Sequence, residues 1–162
     1  MTPSRRLGYC EEMKIELLVD HPGAIATLAD WYVLEWAPYY GVGGTGDARA
    51  DLKSRCNRQK APIGLVAMEG GRVCGTIALD VDVTTKLAPS VVGLLVGNQY
   101  RRRGIATTLL RSAENLARDL GYDQLYVSTT VLTDLLERTG WRTIGTVEFL
   151  NAEHGSIYVC DL

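Results

Sequence analysis

Residues 98–123 read NQYRRRGIATTLLRSAENLARDLGYD, an arginine-rich turn running into a helix. Ile105, Leu109, Ala113, Leu116, Ala117 and Leu120 recur at helical spacing and form one apolar stripe, which Gly121 brings to a stop. A helix start carries the positive end of the macrodipole and several unpaired N–H donors, so acidic residues are favoured there. Arg101, Arg102 and Arg103 instead add positive charge to a positive pole. Either solvent screens the triplet or an anion sits on it. The preceding run VVGLLV, residues 91–96, is apolar throughout, as in a strand covered on both faces. A strand, a short turn and a helix opening on Gly104 and Ala106 present free N–H groups that a phosphate can approach closely. The arginine turn carries neither GxxxxGK[ST] nor GxGxxG, so it is neither a P-loop nor a dinucleotide fingerprint.

On the N-terminal side, KIELLVD (residues 14–20) reads as a first strand and Pro22 to Trp36 as a helix with apolar Ile25, Leu28, Ala29, Tyr32 and Trp36. A glycine-rich loop, APYYGVGGTGDA, leads into a polar second helix over DARADLKSRCNRQK, ended by Pro62. Two strand-like runs then flank Glu69-Gly70-Gly71-Arg72, a tight hairpin. Beyond the arginine turn, QLYVST is a strand, VLTDLLERTG a short helix, and WRTIGTVEFL and SIYVCDL are closing strands. The expected fold is α/β (α+β): a mixed, mostly antiparallel sheet of about seven strands with helices on both faces.

A chain of 162 residues fits one domain, expected over residues 13–162, with residues 1–12 as a flexible polar extension. A net charge of −2 argues against a general nucleic-acid binder, because phosphate-backbone affinity needs a broad basic surface. No apolar run is long enough to span a membrane, and the arginines of the N-terminus precede no hydrophobic region. Cys10, Cys56, Cys74 and Cys160 are widely spaced, which fits reduced thiols in the cytoplasm better than a zinc site or a disulfide framework. No metal is expected.

The hexapeptide Arg101-Arg102-Arg103-Gly104-Ile105-Ala106 fits the pattern Gln/Arg-x-x-Gly-x-Gly/Ala. Between its buried strand and its amphipathic helix, it resembles the acetyl-CoA-binding motif of the GNAT superfamily of N-acetyltransferases. The resemblance extends from about Met13 to the C-terminus. It implies that the main chain of Leu94, Leu95 and Val96 pairs with the pantetheine arm of acetyl-CoA. It implies further that Arg101, Arg102, Arg103, Gly104, Ile105, Ala106 and Thr107 hold the pyrophosphate. The arm would enter between VVGLLV and QLYVST, and a primary amine, small-molecule or peptide, would attack the thioester from the opposite side.

That chemistry asks for removal of a proton from an amine of pKa ~10.4 and release of a thiol of pKa ~8.5. Many relatives place a donor tyrosine four residues before the last helix's closing glycine, where this chain has Leu136. Tyr126 and Ser128 are alternative donors. Asp80 and Asp82, two apart on one strand face, and Glu35, at the end of the first helix, are candidate bases, binders of a cationic acceptor, or solvated side chains. The dense aromatics Trp31, Tyr32, Trp36, Tyr39 and Tyr40 divide between core and acceptor wall, at least two belonging to the core. A second class of function, a non-catalytic acyl-CoA-binding or sensing module, fits the missing tyrosine. Acceptor identity and oligomeric state, a dimer included, stay open.

Overall fold

Gly70 and Gly71 set the middle of the sheet. Both have positive φ, 58° and 76°, the turn geometry whose twist matches flanking antiparallel strands. They join β2 (Ile63–Glu69) to β3 (Arg72–Asp80). The computed structural model describes residues 12–149 and 152–162; apart from exposed Glu12, the expected extension, Cys10 included, lies outside them. With β1 (Lys14–Leu17), β4 (Ser90–Val96), β5 (Gln124–Thr129), β6 (Arg142–Glu148) and β7 (His154–Asp161), the sheet has seven strands in the order β1-β2-β3-β4-β5-β7-β6. All neighbours are antiparallel except β4 and β5. The expected mixed, mostly antiparallel sheet is therefore the one that forms.

Helices α1 (Ile25–Glu35), α2 (Ala37–Tyr40), α3 (Ala48–Ser54), α4 (Ile105–Asp119) and α5 (Thr133–Arg138) complete the order. Leu109, Leu110 and Ala113 of α4, with Leu135 and Leu136 of α5, bury Leu65, Ile77, Leu79 and Leu125 on one face. Ile25, Leu28 and Tyr32 of α1, with Leu52 of α3, bury Leu18, Val66 and Leu95 on the other. The end of α4 follows from Gly121 at φ 90°: the N–H of Gly121 bonds Arg118 O and that of Tyr122 bonds Ala117 O, both at 3.0 Å. This is the glycine-dependent C-terminal motif that satisfies the last carbonyls.

Two elements are shorter than their sequence suggests. β1 stops at Leu17, where Leu18–Asp20 turn into a 3-10 segment. The second helix ends at Ser54 rather than continuing toward Lys60, because the Asn57 side-chain amide takes the carbonyls of Ser54 and Pro62 at 3.0 and 2.6 Å. At the rim, β6 pairs only with β7 among the described residues, and a register shift between Thr143 and Gly145 inserts one extra residue into it.

Candidate functional site

Two features of β4 open the sheet beside it. Between Ala78–Val92 and Thr76–Leu95, β4 uses three steps where β3 uses two, so Gly93 and Leu94 form a bulge, with Gly93 at φ 62°. On the other side, β4 and β5 share a single register pair, Ser90 with Tyr126, supported by Tyr126 N–H to Pro89 O at 3.0 Å. Beyond that point the strands part into a cleft. This explains why the uniformly apolar VVGLLV is only partly covered: Val91 and Leu95 are buried, whereas Leu94 and Val96 are half-buried.

The cleft's far end is closed by the arginine turn. Gly97 N–H bonds Cys74 O at 2.8 Å, so by ladder alternation the polar groups of Val96 face the cleft. The carbonyl of Val96 accepts from Arg101 Nε at 3.0 Å, and Arg101 Nη2 lies 3.1 Å from Glu35 Oε1. Arg103 is paired with Glu69. Two of the three charges are thus balanced by glutamates from α1 and β2, which answers how the helix start tolerates them. Arg102, at φ 66° and exposed, has no ion-pair partner among the described residues. Gly104 takes the left-handed conformation at φ 77° and caps α4 without any side-chain bond. The N–H groups of Gly104, Ile105, Ala106 and Thr107 meet no acceptor among the described residues, and the space a Cβ would fill at Gly104 is open. Uncapped donors, a positive dipole end and open space suit an anionic phosphate.

The candidate acid–base groups separate on inspection. β3 ends at Asp80, so Asp80 and Asp82 do not share a strand face. Asp82 is buried; its Oδ1 accepts the N–H groups of Thr84 and Thr85 at 2.8 and 3.1 Å, and its Oδ2 accepts the Ser128 hydroxyl. That carboxylate is occupied in tying the β3–β4 loop to β5, and the Ser128 proton is occupied with it. Asp80 Oδ1 takes the N–H of Val81 at 2.7 Å, and Oδ2 stands 3.9 Å from Arg55 Nε, with no hydrogen-bond donor to it among the described residues. Glu35 is exposed and held by Arg101. The Tyr126 hydroxyl donates to Gln124 Oε1 at 2.9 Å. Leu136 is 1% exposed and points into the core. Among the described residues no group of three or more His, Cys, Asp or Glu side chains is placed to hold a metal.

Of the five aromatics, Tyr32 alone is fully buried; Trp31, Trp36 and Tyr40 are half-buried and pack against the same core, and Tyr39 is exposed. Tyr32 stacks with Tyr40 at 5.6 Å between ring centroids and meets Trp36 edge-on at 5.0 Å. Its hydroxyl donates to Gly93 O at 2.9 Å and accepts from Arg55 Nη1 at 3.2 Å. Burial pushes the Tyr32 hydroxyl above its ordinary pKa against the pull of Arg55, so it stays protonated and able to donate. Sequence reading passed over Arg55, placed in a polar helix, and over the bulge. The isolated glycine inside VVGLLV was the available signal for the bulge.

Several solved structures share this fold. A GNAT-family acetyltransferase from Streptococcus pneumoniae is 16% identical at TM-score 0.70, over 93% of this chain and 99% of its own. An aminoglycoside 6'-N-acetyltransferase from Enterococcus faecium is 15% identical at TM-score 0.73, over 91% and 96%. An aminoglycoside 6'-N-acetyltransferase complexed with coenzyme A is also 15% identical at TM-score 0.73, over 91% and 96%. No curated protein matches the chain by sequence. The model of the acetyltransferase (GNAT) family matches residues 28–141, spanning the bulged strand, the arginine turn and α4; the chain is an enzyme of the GNAT family of acetyltransferases.

Proposed function

We propose that the protein transfers an acetyl group from acetyl-CoA to a primary amine by direct attack of the amine on the thioester. The observation that carries this reading is the β4–β5 cleft with four unsatisfied N–H groups of the α4 start at its end. In this reading the N–H groups of Gly104 to Thr107, with Arg102, hold the pyrophosphate. The pantetheine arm lies in the cleft along Leu94, Leu95 and Val96, next to the Val96 carbonyl that Arg101 occupies. The coenzyme A complex of an aminoglycoside 6'-N-acetyltransferase with the same fold supports the donor. Residues 13–162 act as one catalytic domain. The cytoplasm is the proposed location, where Cys56, Cys74 and Cys160 remain free thiols.

The acceptor amine reaches the thioester from the α1 face, where Trp36, Tyr39 and Tyr40 offer aromatic surface to a cationic small molecule or peptide. Its proton leaves to water or to Asp80, whose Oδ2 accepts no hydrogen bond among the described residues. A thiolate leaving group with a thiol pKa of ~8.5 departs without a dedicated acid, which is compatible with Leu136 in the core. The test is calorimetric titration with acetyl-CoA, followed by thiol release in the presence of kanamycin, spermidine or a short peptide with a free N-terminus. Binding followed by amine-dependent release supports the transferase. Binding without release points to an acyl-CoA carrier or sensor, and no binding removes both. Among the described residues no helix is long and apolar enough to cross a membrane.

A further inference from the structure

The bulge that opens the cleft is held by a chain of polar contacts that starts at a buried cation. Arg55 follows α3 and is 7% exposed. Its stem lies on β2 at Gly64, where the position a Cβ would occupy is 3.3 Å from Arg55 Cβ. Its head reaches Gly93, where a Cβ would fall 2.9 Å from Arg55 Nη1 and 2.3 Å from Tyr32 Oη. Glycine at both ends is what lets an arginine cross the sheet at this depth. Through Tyr32, 1% exposed, the guanidinium reaches the Gly93 carbonyl by bonds of 3.2 and 2.9 Å.

A buried arginine is poor value for stability alone. Its Nε meets no hydrogen-bond acceptor among the described residues, and its counter-ion Asp80 is 3.9 Å away. Well-packed apolar side chains in such places are often as stable or more so. The cation does have a consequence at the bulge: drawing on the Tyr32 oxygen, it strengthens the O–H donated to Gly93 O. The peptide between Gly93 and Leu94 is planar, so fixing its carbonyl fixes the opposed Leu94 N–H as well. From Val96 to Gly93 the strand covers about 10 Å at ~3.3 Å per residue. An acyl arm entering from the arginine turn therefore brings its thioester toward this peptide.

We propose that Tyr32 and Arg55 are positioning residues of acetyl transfer: together they lock the Gly93–Leu94 peptide at the fork of β4 and β5, against which the thioester is aligned. The proposal rests on the acetyltransferase reading above. Neither residue touches the reacting atoms. Tyr32 acts through the Gly93 carbonyl, and Arg55 acts through Tyr32. The loss on removing either belongs to the turnover step, because the phosphates are held separately at the start of α4.

The experiment compares wild type, Tyr32→Phe, Arg55→Met and the double variant in thiol release from acetyl-CoA with kanamycin, spermidine or a free-amine peptide, alongside calorimetric acetyl-CoA affinity. Tyr32→Phe is expected to lower kcat about 10- to 100-fold, with acetyl-CoA affinity within threefold of wild type. The double variant is expected to match the worse single variant, since both act through one hydroxyl. Millimolar guanidinium added to Arg55→Ala is expected to restore part of the lost kcat, a response that a general loss of packing would not give. If Tyr32→Phe does not fold, the Arg55 variants and the guanidinium response decide alone. A wild type that turns over while these variants stay within twofold of it overturns the positioning role only. A wild type that binds acetyl-CoA but releases no thiol with any of these amines overturns the transfer reading, and the positioning role falls with it.

Discussion

Replacing Gly104 separates backbone strain from ligand contact. The residue sits at φ 77° with nothing within 4 Å of where a Cβ would go. Gly104→Ala therefore meets no clash, and its cost is the left-handed backbone penalty of about 1–2 kcal/mol. In a domain of this size each kcal/mol lowers Tm by about 2–4 °C, giving a fall of about 2–8 °C. Asparagine tolerates this conformation better, so Gly104→Asn is expected to fall less. Coenzyme binding should rank the variants differently. If the pyrophosphate rests on the N–H groups of residues 104–107, any side chain at 104 intrudes where it sits. Loss of one hydrogen bond to a charged group costs about 1.5–3 kcal/mol, or roughly 10- to 150-fold in affinity. Calorimetric titration with acetyl-CoA and thermal unfolding on both variants read the two effects independently. A Gly104→Asn protein that binds acetyl-CoA within twofold of wild type would show that no phosphate packs there, and the reasoning from the α4 start would fail.

Two further outcomes are expected. Leu136→Tyr, which restores the tyrosine common in relatives, should leave kcat unimproved and cost about 1–3 kcal/mol by overpacking, because this side chain is 1% exposed within the core; thermal unfolding and initial rates check both. Asp161 is held below the usual carboxylate range by the Gln124 amide first and then by Arg142, so its folded pKa lies below the unfolded value of 3.8. Its contribution to stability is present above that value and disappears as pH falls through the lowered one; carboxylate NMR titration of Gln124→Ala should show the pKa moving back up.

The helical stripe of α4, the Gly70-Gly71 hairpin and the mixed sheet were legible because each depends on local periodicity or on turn chemistry. The main-chain part of the candidate site was legible for the same reason: a strand, a turn and an uncapped helix are adjacent in sequence. The electrostatic settlement of the arginine triplet was not. Arg101 meets Glu35 from 66 residues away and Arg103 meets Glu69 from 34 away, contacts that only the folded sheet creates. Arg55 was hidden more deeply, since a cation in a polar segment looks solvated until Gly64 and Gly93 are seen to admit it across the sheet. The pairing of Asp80 with Asp82 failed by one turn: β3 ends between them, and Asp82 spends its oxygens on the loop that follows.

The extra residue in β6 affects how copies of this protein meet in crowded solution. β6 lies at one rim of the sheet, and its unpaired side offers backbone groups that a neighbouring chain could extend. The insertion near Ile144 breaks the even spacing such an extension needs, and Arg142 and Glu148 place a charge at each end. At the opposite rim β1 offers only four residues. With one border kinked and the other too short, neither edge is a good template for fibre growth, and among the described residues the long gap in the strand ladder is the interior cleft, walled by its own domain.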